Sequence, residues 1–176
     1  RGGRQWQRDG DAFTASLQRA NGSLLVSDKQ YEDFELSLEW RTVNAATAQG
    51  GVYFHYPGDG NLLDYAFKLQ LANDFGVAAD QYSTGSLLGV AAPDINAVKQ
   101  AAKWNTLMMQ VVDNVLAVHI NGKKVLETPL SSETVPDLGH VCLDGAAGGI
   151  TYRNVLVSDL PKPVENRIPS DTARNA

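Results

Sequence analysis

The chain has little cysteine and no long apolar run. Its 176 residues include one cysteine, Cys142, which cannot form an internal disulfide, so the redox compartment is not decided by cysteine content. The flanking Val141 and Leu143 favour a buried structural thiol over a nucleophile. No apolar run approaches the roughly 20 residues that a membrane helix needs, so no membrane span is predicted.

The sequence also lacks an excess of basic residues. Its formal net charge is −5, and Lys123 and Lys124 are the only adjacent basic pair. Because nucleic-acid surfaces normally carry a basic patch, no nucleic-acid partner is predicted. A phosphate-binding glycine loop and a zinc-type Cys/His cluster are missing as well. Apolar residues make up 43% and charged residues 20%, as in ordinary globular domains.

Alternating apolar and polar residues are the dominant pattern. The segment FELSLEWRT, residues 34–42, alternates with a period of two, as does GGVYFHY, residues 50–56. The segment LDYAFKLQLANDFG, residues 63–76, places Tyr65, Phe67, Leu69 and Leu71 on one face and Asp64, Ala66, Lys68 and Gln70 on the other. The second face of that strand is either solvated or the floor of a binding cleft.

Turn signals join several of these strands. Asp113-Asn114 and Asn121-Gly122 both tolerate positive φ, so residues 105–129 are predicted to form a three-stranded meander. A further strand is predicted over residues 150–158, and no long amphipathic helix is evident. Many short strands separated by turns indicate an all-β sandwich, jelly roll or barrel.

The predicted domain organisation is simple. Residues 1–160 form one β-sandwich domain, and residues 161–176, with three prolines and no periodicity, form an extended or partly disordered tail. The start at Arg1 and this tail fit a piece of a larger or exported protein. We therefore expect an extracytoplasmic location, either periplasmic or secreted, and a place in a multidomain protein.

Several segments occur in an order that carries a family resemblance: LLVSDKQYEDFELSLEWR, QGGVYFHY, FKLQLANDFG, STGSLLGVAAP, KWNTLMMQV, VHINGKKV and GHVCLDGAAGGITYRNVLV. Over residues 22–160 this order resembles the 3-keto-disaccharide hydrolase domain family, a concanavalin A-like group common in sugar-processing bacteria. The resemblance implies a jelly-roll β-sandwich of two antiparallel sheets with a glycoside or oligosaccharide in a cleft on the concave sheet.

The resemblance also implies a reaction. A ketone at sugar C3 acidifies the C2 proton, so a base can remove it, the glycosidic oxygen leaves by elimination, and water then adds back. This route needs a base, an acid and a group that polarises the ketone, for which a divalent metal is one candidate. It does not need the carboxylate pair of an ordinary glycosidase.

The sequence departs from the family pattern at its polar positions. Lys68 stands where relatives usually carry glutamate, whereas Gln70 keeps their glutamine. Asp144 stands at a glutamine position, Ala146 at a histidine position and His55 at an arginine position. A lysine cannot replace a carboxylate as base or metal ligand at neutral pH, but it can polarise a ketone or bind hydroxyls.

These considerations define the candidate site. The catalytic candidates are His55, Lys68 and Asp144; the substrate-binding candidates are Tyr53, Gln70, Asp74, Trp104, Arg153 and Glu39. Each has a structural alternative, such as turn formation for Asp74, core packing for Trp104 and a surface position for His55. Two other functions stay open, namely a non-catalytic carbohydrate-binding module and a laminin-G-like protein-interaction domain.

Overall fold

The computed structural model describes residues 6–15, 24–145 and 148–162. Nearly all regular structure there is β-strand. The strands are β1 (Trp6–Asp9), β2 (Ala12–Ala15), β3 (Leu24–Tyr31), β4 (Phe34–Thr42), β5 (Gln49–Tyr56), β6 (Phe67–Ala72), β7 (Asn105–Val112), β8 (Val115–Ile120), β9 (Lys123–Pro129), β10 (Gly139–Asp144) and β11 (Ile150–Asp159). One short helix, α1 (Leu62–Tyr65), precedes β6.

The strands form two antiparallel sheets. The seven-stranded sheet has the order β1-β2-β11-β4-β7-β8-β9, and the four-stranded sheet has the order β3-β10-β5-β6. Apolar side chains of both sheets form one core between them, including Trp40, Phe54, Leu69 and Met109. The predicted all-β sandwich of two antiparallel sheets is confirmed.

The alternation in the sequence determines which residues enter this core. Phe34, Leu36, Leu38 and Trp40 of β4 are at most 2% exposed, while the polar residues between them lie on the outer face of the seven-stranded sheet. The predicted meander is also confirmed: Asp113, Asn114, Asn121 and Gly122 all have positive φ and join β7, β8 and β9 through tight turns.

The segment of residues 63–76 is only partly a strand. Residues 62–65 form the turn of helix α1, because the Asn61 side chain accepts a hydrogen bond from the Leu63 amide and caps the turn. The strand begins at Phe67, so Tyr65 is 42% exposed and does not join the core as its position in the pattern suggested. From Phe67 onwards the alternation holds, with Lys68 and Gln70 facing away from the core.

The alternation in residues 50–56 predicts that His55 shares a face with Gly51 and Tyr53, and this prediction is wrong. His140 pairs with Tyr56, but Cys142 pairs with Tyr53, so one extra residue of β5 is accommodated by a β-bulge. His55 has φ 57° at this bulge. The bulge turns its ring into the sandwich core, where it packs edge-on against Phe54.

Candidate functional site

The outer face of the four-stranded sheet brings together polar side chains from three strands. Tyr53 of β5 lies between Lys68 of β6 and Cys142 of β10 in one cross-strand row. In the next row Gly51 lies between Gln70 and Asp144. Lys68, Gln70, Tyr53 and Asp144, all predicted from the sequence, are therefore neighbours, and we call this set the β6 face.

A buried ion pair is the central feature of the β6 face. The Lys68 Nζ lies 2.8 Å from Asp144 Oδ2, and the two side chains are only 13% and 5% exposed. Between them lies Gly51, where a Cβ would approach the Leu69 carbonyl oxygen to 2.2 Å and the Lys68 Cε to 3.2 Å. Glycine at this position thus lets the lysine cross β5 to reach the carboxylate.

Tyr53 and Cys142 form an apolar surface beside the Lys68–Asp144 ion pair. The Lys68 Nζ lies 5.2 Å from the centre of the Tyr53 ring, a cation–π distance. Burial, with a smaller contribution from the Asp144 carboxylate, raises the pKa of Tyr53 to about 12. Burial likewise raises the pKa of the Cys142 thiol to about 12. Both groups are therefore neutral at physiological pH, and Tyr53 can donate a proton or a hydrogen bond.

Gln70 supplies an unused hydrogen-bond acceptor. Its Nε2 donates to Gln49 Oε1 at 2.9 Å, but its Oε1 has no partner among the described residues although Gln70 is only 6% exposed. A buried amide oxygen without a hydrogen-bond partner is unfavourable, so this oxygen marks a place where a ligand hydroxyl could donate the missing hydrogen bond.

A buried tyrosine of the opposite sheet fixes the backbone beneath these side chains. The Tyr152 hydroxyl donates to the Asp144 carbonyl at 2.7 Å and accepts from the Gly51 amide at 2.9 Å. Burial holds the pKa of Tyr152 well above its usual value. Gly50 is needed for this approach, since a Cβ there would lie 2.6 Å from the hydroxyl. Sequence reasoning missed Gln49, Gly51 and Tyr152. The roles of Gln49 and Gly51 depend on pairing between strands of one sheet, and the role of Tyr152 depends on contact between the two sheets.

Asp74 has a structural role in the loop after β6. Its Oδ2 accepts from the Thr84 amide and its Oδ1 from the Thr84 hydroxyl, both at 2.7 Å. The Thr84 hydroxyl in turn accepts from the amide of Ala72, the last residue of β6. Both carboxylate oxygens of Asp74 are thus engaged in closing this loop, as the turn interpretation predicts.

The remaining predicted binding residues lie on the opposite outer face, that of the seven-stranded sheet. Arg153 donates to Glu39, with Nε–Oε2 at 2.7 Å, and its guanidinium carbon lies 3.9 Å from the centre of the Trp104 ring. Arg153 lowers the pKa of Glu39 through this hydrogen bond. Since the two sheets separate this group from the β6 face, Trp104, Arg153 and Glu39 do not form one cleft with Lys68.

The two remaining departures from the family pattern do not add to the β6 face. The His55 ring contacts Phe34, Phe54 and Phe67 and bonds the Glu32 carbonyl through Nε2 at 3.0 Å. Burial lowers the pKa of His55, so the ring stays neutral near pH 7. Ala146 lies outside the described residues.

The β6 face does not suit a divalent metal. Within residues 6–15, 24–145 and 148–162, no three His, Cys, Asp or Glu side chains are grouped to hold an ion. The one carboxylate of the β6 face, Asp144, already has the Lys68 ammonium against it, which repels a second cation.

No helix in the described part of the chain is long and apolar enough to cross a membrane.

The two antiparallel sheets form a lectin-like jelly-roll β-sandwich. The chain belongs to the family of 3-keto-alpha-glucoside-1,2-lyase-like domains, whose model matches residues 2–158. This confirms the family resemblance drawn from the sequence. No curated protein sequence matches the chain significantly.

Solved structures share the fold at low sequence identity. An inferred glycosyl hydrolase from Parabacteroides distasonis ATCC 8503 superposes with a TM-score of 0.73 at 22% identity, covering 88% of this chain and 90% of that one. A second protein of that description and organism gives 0.74 at 17% identity, covering 90% and 84%. The carbohydrate-binding module CBM66 from Bacillus subtilis gives 0.63 at 12%, covering 87% and 90%.

Proposed function

We propose that the β6 face binds a glycoside oxidised to a ketone at C3 and cleaves its glycosidic bond by elimination and hydration. The observation that carries this proposal is the buried Lys68–Asp144 pair, which holds an ammonium and a carboxylate side by side on one sheet face. Family membership supports the substrate class. The Gln70 Oε1, which accepts no hydrogen bond within the described segments, supports a ligand with hydroxyl groups at this place.

The chemistry assigns a role to each group. The Asp144 carboxylate removes the C2 proton, and the Lys68 ammonium stabilises the negative charge that develops on the C3 oxygen. The C1–oxygen bond then breaks, and the departing oxygen takes up a proton, for which Lys68 and the neutral Tyr53 hydroxyl are the donors. Water adds across the resulting C1–C2 double bond, so the net reaction is hydrolysis. Lys68 serves in this scheme as the polarising group, and no metal is needed.

The ion pair also favours a second candidate function, non-catalytic carbohydrate binding. A lysine and an aspartate that already neutralise each other offer donors and acceptors to sugar hydroxyls without a free base. The structural similarity to CBM66, named as a carbohydrate-binding module, fits this alternative. The two functions predict the same ligand location, but only the hydrolase converts the ligand to monosaccharides.

The test is incubation of the protein with 3-keto-trehalose, 3-keto-sucrose and 3-keto-lactose, with and without chelator, while monosaccharide release is followed. We expect release that is insensitive to chelator and falls about 100-fold or more in Asp144→Asn, the usual range for loss of a general base. Lys68→Met should lower the rate as well.

The matched control is the surface ion pair of Lys29 and Asp159, whose side chains are 57% and 54% exposed. The same substitutions there, Lys29→Met and Asp159→Asn, should leave release unchanged. Calorimetric binding without release from any of the three sugars would support the binding module instead. Neither binding nor release would contradict both functions and favour a protein-interaction domain.

A further inference from the structure

The outer face of the seven-stranded sheet carries a second constellation that the proposed function does not use. Trp104, just before β7, is half-buried and has two guanidiniums near its ring: Arg153 at 3.9 Å and Arg41 of β4 at 4.7 Å from the ring centre. Both distances are within cation–π range, so the ring holds the two arginines in place on the sheet.

The two arginines differ in their ionic partners. Arg153 is neutralised by Glu39, which also accepts from Asn154 at 2.6 Å. Arg41 is exposed and forms no ion pair or side-chain hydrogen bond with any residue of the described segments. Its guanidinium therefore lies over the Trp104 ring and, among the described residues, keeps all its donors available.

The local charge is positive although the chain is acidic. The Lys99 ammonium donates to the Trp104 carbonyl at 3.1 Å, which adds a third cation beside Arg41 and Arg153. Glu39 and Asp11 are the acidic groups whose charge acts on Arg153. Together the three cations and these two carboxylates carry a formal charge of +1, on a chain of net charge −5.

A groove of about 490 Å³ continues from this cluster along the sheet. It borders the cluster, because its lining includes Glu39, which accepts from Arg153, and Asn154, which donates to Glu39. Hydroxyl and imidazole groups line it together with the partly exposed Met108. The further polar lining residues are Ser37, Thr106 and His119. Such a surface offers hydrogen bonds to hydroxyls and an apolar floor to the C–H face of a sugar ring.

We propose that this groove and the Arg41–Trp104–Arg153 cluster form a second saccharide site that binds an acidic polysaccharide through its uronate carboxylates. A planar guanidinium with free donors matches a carboxylate in bidentate geometry. The groove matches the hydroxyls and ring faces of neighbouring sugar units. Nucleic acid would need more cations than this face presents. The site is separate from the β6 face and does not depend on the function proposed there.

The test is calorimetric titration of the protein with trigalacturonate and, in parallel, with its fully methyl-esterified form. We expect the unesterified probe alone to bind, more weakly as salt concentration rises, since the carboxylates carry the recognition. Arg41→Gln should weaken this binding about tenfold or more, the range for a charged hydrogen bond. Arg41 is exposed, so this variant should fold normally, which circular dichroism checks.

Two further variants distinguish binding at this cluster from general attraction between surface cations and a polyanion. Trp104→Leu should weaken binding as well, whereas Lys29→Met, which removes one surface cation elsewhere, should not. Equal binding of both probes, no binding of trigalacturonate, or an unaffected Arg41→Gln variant would each overturn the proposal. Binding that is lost in Lys68→Met but kept in Arg41→Gln would place the uronate on the β6 face and overturn it too.

Discussion

The buried pair of Lys68 and Asp144 makes a quantitative prediction about stability. Removing one member leaves the other charge buried, which typically costs about 3–5 kcal/mol, whereas removing both costs much less than the sum. Because Asp144 is only 5% exposed, Lys68→Met should lower the free energy of unfolding by about 3 kcal/mol, at the low end of that range. Lys68 is 13% exposed and its flexible stem can turn towards water, so Asp144→Asn should cost about 2 kcal/mol.

The double variant decides whether the two charges interact. We expect Lys68→Met/Asp144→Asn to lose about 3 kcal/mol, which is about 2 kcal/mol less than the sum of the single losses. Urea unfolding of the four proteins at neutral pH, analysed by linear extrapolation, measures this difference. The Lys29–Asp159 pair, exposed on both sides, should show no measurable coupling in the same cycle. Strictly additive losses at Lys68 and Asp144 would refute the ion pair as a stabilising contact.

Three further predictions concern buried groups. Tyr152→Phe removes the hydroxyl that bonds Gly51 and Asp144, so it should cost about 2 kcal/mol and lower Tm by about 4–8 °C in calorimetry; an unchanged Tm would contradict this contact. Because burial lowers the pKa of His55, only the unfolded chain takes up its proton just below pH 6.5. Stability should thus fall as pH drops from about 6.5 towards 5, and less so in His55→Asn; equal profiles in urea unfolding would argue against it. Cys142, buried with a pKa of about 12, should react with Ellman's reagent only after unfolding, and rapid native labelling would disprove its burial.

Local periodicity explains why much of the fold could be predicted. The strand boundaries of β4 and β7 to β9 follow from alternation and from turn residues with positive φ, which are properties of neighbouring residues. The outward position of Lys68 and Gln70 follows for the same reason. The bulge at His55 breaks the rule because one extra residue in β5 is accommodated against β10, a strand more than 80 residues further along the chain. Nothing within β5 itself signals that misalignment.

The division of the predicted site between two faces has the same physical origin. Alternation shows that Glu39 and Lys68 each point away from a core, but the sheet to which each strand belongs is set by long-range pairing. Glu39 pairs across the strands with Arg153, and Lys68 reaches over Gly51 to Asp144. Glu39 thus has its opposite charge on the neighbouring strand β11, whereas Lys68 has its opposite charge two strands away, on β10. The role of an outward charge on a strand can therefore be interpreted only when the strand pairing shows which opposite charge lies near it. This is why Lys68, unexplained as a single substitution, becomes intelligible only beside Asp144.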